Sequence, residues 1–142
     1  MKKRRISIEL RRRVRERAEY RCGYCLRTEE LAGEQMTIEH IHPESRGGLA
    51  IEQNLWLSCR RCNEYKGVQM HALDLLSGKL IRLFNPCTQS WIEHFAWDES
   101  GTRILGLTPT GRATVSALRL NNPEIVVTRR LWVAAGWWPP EE

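Results

Sequence analysis

Four of the five cysteines fall into two Cys-x-x-Cys pairs, Cys22 with Cys25 and Cys59 with Cys62, with about 33 residues between the pairs. A two-residue gap lets both thiolates of a tight turn face one ion, and two such knuckles complete a tetrahedral zinc site. The chain must therefore fold so that two distant turns meet. A redox motif comes as one pair rather than two, and disulfides do not persist in a reducing cytoplasm. The spacing predicts structural zinc (Zn2+) held by Cys22, Cys25, Cys59 and Cys62. Four thiolates leave no coordination position open for chemistry. Cys87 stands alone and reads as a small buried apolar residue.

At 142 residues the chain fits one compact domain, or a small module with an extension. No apolar run reaches the length of a membrane span, and the basic start MKKRRISIEL leads into no apolar stretch of the secretory kind. The expectation is a cytoplasmic protein with no membrane partner. Net charge is +5, yet residues 1–21 alone hold ten Lys or Arg against three Glu, so the positive charge sits at the front. Clustered arginines suit a polyanion, because each neutralised phosphate releases counterions. A solvated helix face is the plainer alternative.

Ser7 is placed to cap a helix from about Ile8 to Tyr20, with Ile8, Leu10, Val14 and Ala18 as a partial apolar stripe. RCGYC reads as a knuckle, EQMTIEHI as a short strand ended by Pro43 and the RGG turn, NLWLSC as a second strand, and RRCNEYKGVQM as a helix start. Further on, SWIEHFAW and TRILGL flank DESG as a hairpin, with Trp91, Phe95 and Trp97 alternating along its first strand. Thr110 reads as the cap of a helix through GRATVSALRL. Asn122 and Pro123 open a last helix closed by Gly136, although the Ile125–Val127 run favours a strand. The expected fold class is α+β: a basic N-terminal helix over 1–21, a zinc-tied core over 22–72, and a hairpin-plus-helices extension over 73–142 packed on the core.

Residues 37–48, TIEHIHPESRGG, place Glu39, His40 and His42 within four positions. A buried core rarely tolerates three such side chains unpaired, whereas a reactive or metal-holding site uses them. Strand alternation puts His40 and His42 on one face and does not choose between them. Arg60, Arg61 and Lys66 surround the second knuckle and read as phosphate contacts, with His42 and Arg46 of the RGG turn as further ones. His71 and His94 have no partner motif and read as structural, and Arg112, Arg119, Arg129 and Arg130 as added basic surface.

The ordered set C-G-Y-C, E-H-I-H-P, R-G-G, N-L and C-R-R-C-N-E-Y-K-G resembles the HNH endonucleases, specifically their four-cysteine, zinc-bearing group, over roughly residues 14–70. A looser likeness to small bacterial HNH proteins continues through LFNP, WIEHFAW and GLTPTGRATVSALRLN. The resemblance implies a ββα-metal (His-Me finger) core, with two short antiparallel strands and a helix around one divalent cation. It implies that Glu39 binds the cation, that His40 is the general base, that Asn54 orients the histidine backbone, and that Asn63 is the second cation ligand. A carboxylate and an amide oxygen are hard donors that suit Mg2+ or Mn2+. An imidazole accepts the proton of the attacking water, and the cation offsets charge on the leaving oxygen. Family members usually carry Asp where this chain has Glu39, and the extra methylene moves the carboxylate by about one bond length.

The expected activity is that of a metal-dependent endonuclease or nickase on double-stranded DNA, leaving 5′-phosphate and 3′-hydroxyl ends with little sequence specificity. One alternative is a zinc-stabilised nucleic-acid-binding protein whose catalysis is impaired at Glu39. Another is a nicking subunit of a larger phage or defence complex, docked through the C-terminal extension and the tryptophans of GWWPPEE.

Overall fold

A computed structural model describes residues 6–140. The chain divides into two compact units, one comprising the residues up to Met70 with Asn85–Thr88, the other His71–Phe84 with the chain from Gln89 onward.

The first unit opens with α1 (Ile8–Arg17), whose N-cap Ser7 accepts a hydrogen bond from the Leu10 amide at 3.1 Å. Val14 is fully buried and Ala18 nearly so, so this part of the stripe is the packed face, whereas Ile8 at its start is exposed. The helix stops short of Tyr20, because Glu19 and Tyr20 take left-handed φ values of 54° and 57°. The knuckle comes immediately after, closed by Cys22 N–H donating to Arg27 O and Leu26 N–H to Cys22 O. Gly23 N–H donates to Leu57 O at 2.9 Å, tying the knuckle to a strand. Only glycine fits there, since a Cβ would strike the Trp56 ring.

A short helix, α2 (Glu29–Ala32), leads to the strand pair β1 (Thr37–His40) and β2 (Leu55–Ser58). They are antiparallel, with Ile38 opposite Leu57, Glu39 opposite Trp56 and His40 opposite Leu55. Helix α3 (Arg60–Lys66) starts from Cys59, whose Sγ accepts from Cys62 N–H at 3.4 Å, so the second knuckle is also the first turn of a helix. Two strands followed by a helix, with a cysteine cluster at their base, give the mixed α+β class and are consistent with an HNH-type core.

The second unit contains two hairpins, β3 (His71–Asp74) with β4 (Lys79–Arg82), and β5 (Phe95–Trp97) with β6 (Ile104–Gly106). The expected long strand from Ser90 is shorter, because Trp91–His94 forms one helical turn, α4, and Trp91 therefore lies outside the hairpin. Helix α5 (Pro109–Ala117) is capped by Thr108, not Thr110, and Thr108 Oγ1 accepts from Gly111 N–H at 3.1 Å. Proline at the first helical position explains the shift, because its fixed φ suits that position and the residue before it takes the cap. Gly111 lies so close to the His94 carbonyl that no side chain fits. Helix α6 (Pro123–Ala134) is capped by Asn122, whose Oδ1 accepts from Ile125 N–H. Its branched run is helical because Ile125 and Val126 are buried there, and packing outweighs propensity.

Two expectations for this region are corrected. Arg129 is not surface: it is 1% exposed, donates to Thr102 O at 2.9 Å and stacks over Trp97. Arg112 is spent on Asp74 at 2.9 Å. Of the terminal tryptophans, Trp138 is buried against Trp97 and Trp132, while Trp137 stays exposed. Among the described residues no helix is long and apolar enough to cross a membrane.

Candidate functional site

The four knuckle sulfurs all lie within 4.8 Å of one another and all four cysteines are buried. Cys25 and Cys59 Sγ are 3.8 Å apart. Sulfurs placed tetrahedrally at about 2.3 Å from one zinc would be about 3.8 Å apart, so the spacing fits. Tyr24 N–H donates to Cys22 Sγ at 3.4 Å and fixes its direction. Burial pushes the Cys22 thiol up, and its hydrogen bonds to the other three sulfurs push the Cys62 thiol up as well. Cys59 is driven far down by hydrogen bonds from the other three sulfurs, with Arg27 adding to the effect. Four buried sulfurs at this mutual spacing are an arrangement suited to a divalent cation at their centre. Among the described residues this is the one cluster of three or more Cys, His, Asp or Glu groups placed to hold a metal.

Glu39 and His40 end β1. Glu39 is 5% exposed, and Lys66 Nζ lies 2.7 Å from its Oε1. The same ammonium donates to the Ile41 carbonyl at 3.3 Å. Burial raises the Glu39 carboxyl above the ordinary carboxylate range, while Lys66 and then the Tyr24 phenol pull it back. Lys66 is therefore corrected from a phosphate contact to a core residue, with its side chain 2% exposed. The reason is helical spacing: Cys62 and Lys66 are four apart on α3, so the face that carries Cys62 to the metal cluster also buries Lys66. Tyr24, beside both Glu39 and the sulfurs, was missed by sequence reasoning. Its place inside the first Cys-x-x-Cys pair was the available signal.

Asn54 clasps the loop that leaves β1. Its Oδ1 accepts from His42 N–H at 2.8 Å, its Nδ2 donates to His42 O and Leu49 O, and its backbone carbonyl accepts from Ile41 N–H. The histidine whose backbone it grips is His42. The His42 ring Nε2 lies 2.8 Å from Arg46 O, and Arg46 donates to Val68 O at 3.2 Å. Both side chains thus have partners within the loop region. Arg60 is exposed and Arg61 and Asn63 are half-buried on α3. The His40 ring Nε2 is buried with no hydrogen-bond partner among the described residues, directly after Glu39, whose carboxylate Lys66 pairs.

Comparison with known proteins yields one finding. Residues 22–69 match the family model described as HNH endonuclease, about a third of the chain, and every residue of the site lies inside that span. No curated protein and no solved structure matches. The family match supports a nuclease-type function, and HNH nucleases act on DNA, consistent with a DNA partner. Family match and four-cysteine cluster coincide in one segment, and together they fit an HNH protein of the zinc-bearing kind.

Proposed function

We propose that the segment 22–69 hydrolyses DNA phosphodiesters with His40 as the proton acceptor. The observation that carries this reading is the His40 ring itself. Its Nε2 is buried at the end of β1 without a hydrogen bond to any described residue, and an unmade hydrogen bond in such a place costs about 1–3 kcal/mol. A substrate-side water is the partner that removes this cost. Asn54 holds the backbone just after His40 and Glu39 stands just before it, so the ring leaves a rigid base.

An oxygen-donor divalent cation fits the remaining groups in kind. The Asn63 amide makes no hydrogen bond with the described residues, and the Glu39 carboxylate shares its charge with Lys66. Glu39 and Asn63 would hold Mg2+ or Mn2+, which when bound supplies charge stabilisation at the phosphate and the leaving oxygen. The four cysteines would hold zinc as a structural ion, since four thiolates leave no coordination position open for chemistry. Arg60 and Arg61 remain phosphate contacts in this reading, and His42 and Arg46 shape the loop over which the strand would pass.

The Glu39–Lys66 pair favours one rival, a zinc-stabilised binder of nucleic acid that no longer cuts, because a lysine already neutralises the expected ligand. Incubating purified protein with supercoiled plasmid and Mg2+ or Mn2+, beside an EDTA control, separates the two. Metal-dependent relaxation or linearisation supports the nuclease. Retardation of an intact plasmid with and without metal supports the binder.

A further inference from the structure

A cavity of about 270 Å3 opens between α1 and the approach to β1. Ile8, Arg11, Arg12 and Arg15 line one side, at the i, i+3, i+4, i+7 spacing of a single helix face. This is a second face of α1, distinct from the packed stripe through Val14. Arg15 is committed, bonding Glu29 through both its Nη atoms. Arg11 and Arg12 are exposed, and neither guanidinium has an ion pair or hydrogen bond with a described residue. Two guanidinium groups with no partner among the described residues, at the wall of a cavity, suit an anion.

Two independent features show what kind. Tyr20 stands at the cavity wall in a left-handed conformation (φ 57°) directly after another left-handed residue, Glu19. This backbone closes α1, with Tyr20 N–H donating to Arg15 O and Glu29 N–H to Tyr20 O, and it holds the ring against the Arg15 guanidinium, 5.5 Å from the ring centroid. The ring is 46% exposed, and with Ile8 and Met36 it adds apolar surface beside the arginines. A sulfate-like anion needs no such surface; a sugar–phosphate does. The second feature is position. Ile38 lines the cavity and lies two residues before His40 on β1, so by strand alternation the cavity and His40 share one face, about 7 Å apart along the strand.

We propose that this cavity seats the sugar–phosphate backbone of a DNA strand, with Arg11 and Arg12 on phosphate oxygens and Tyr20, Ile8 and Met36 against the sugar. The site rests on the reading that the chain acts on DNA, and it gives that reading an anchor that fixes how far the strand sits from His40. Contacts of this kind position a strand and carry no sequence information.

The test uses the full chain with His40→Ala, so that cutting does not disturb binding, and fluorescent duplexes of two unrelated sequences. Affinity is followed by anisotropy as a function of salt. Each lost phosphate contact lowers the log–log slope by about 0.9. The Arg11→Gln/Arg12→Gln variant should therefore lose about 2 in slope, so that the gain on diluting salt about fourfold shrinks by about tenfold. Both sequences should respond alike. The control Arg103→Gln/Arg130→Gln makes the same change in net charge at two exposed arginines of the second unit and should keep the slope. An unchanged slope in the first variant overturns the site, and so does an equal loss in both. If the site fails while the wild-type protein still cuts plasmid, the nuclease reading stands alone. If the wild-type protein neither binds nor cuts, both fall.

Discussion

Glu39 and Lys66 show how a residue's role depends on a neighbour that the sequence does not name. Breaking a buried ion pair leaves an uncompensated charge, which typically costs about 3–5 kcal/mol. Lys66→Met should destabilise the zinc-loaded protein by about that amount in urea unfolding. The double variant Glu39→Leu/Lys66→Met should recover most of the loss, since apolar replacement of both partners is often neutral. A single-variant effect below about 1 kcal/mol would mean that the pair is not formed in solution. The sequence made the cysteines legible because chemistry dictates their spacing, and it put Glu39 and His40 side by side. It did not reveal Lys66 as buried, because a lysine near a basic surface ordinarily remains in water. The clue was positional: four residues after Cys62, on a helix too short to turn its face away.

At the scale of elements, what the sequence announced was what turn chemistry and capping enforce. Ser7 and Asn122 cap the helices expected of them, and Cys59 both caps α3 and stands in the cluster. The β3–β4 hairpin gave no such signal. Leu73 and Leu80 face each other across it and are both exposed, as are Leu75 and Leu76 at its turn, so no apolar–polar alternation marks the strands. The turn is held from elsewhere. Asp74 accepts from Leu76 N–H, Ser77 N–H and Ser77 Oγ and is gripped by Arg112 from α5. Arg112 first, then Ser77, holds the Asp74 carboxyl well below the ordinary carboxylate range. A depressed pKa in the folded state contributes stability above the unfolded value, near about 3.9, that is lost as pH falls through the folded value. Thermal unfolding measured from pH 7 downward should show Tm falling in acid below about pH 4. Asp74→Asn should lower Tm at neutral pH and flatten that acid dependence. A parallel acid loss in the variant would remove Asp74 from the account.

At the scale of the whole molecule, the family match ends at residue 69, next to the point where the first unit gives way to the second at Met70. No linker composition announces that division, and the return of Asn85–Thr88 to the first unit is a tertiary event with no local signature. With four buried sulfurs in one cluster, the first unit should carry one zinc per chain by native mass spectrometry. Chelation should abolish its cooperative unfolding, because binding energy at such a site is folding energy. A fully metal-free protein that keeps the same Tm would contradict the structural role of the cluster. The claim that the molecule is a nuclease rests in the end on one imidazole. The most direct measurement compares the rates at which His40→Ala and His42→Ala relax supercoiled plasmid in Mn2+. Loss of a general base typically costs about 100-fold to 10,000-fold, so His40→Ala should fall at least that far, while His42→Ala should stay within about tenfold of the wild-type rate. Equal rates for wild type and His40→Ala, or a greater loss in His42→Ala, would contradict the assignment.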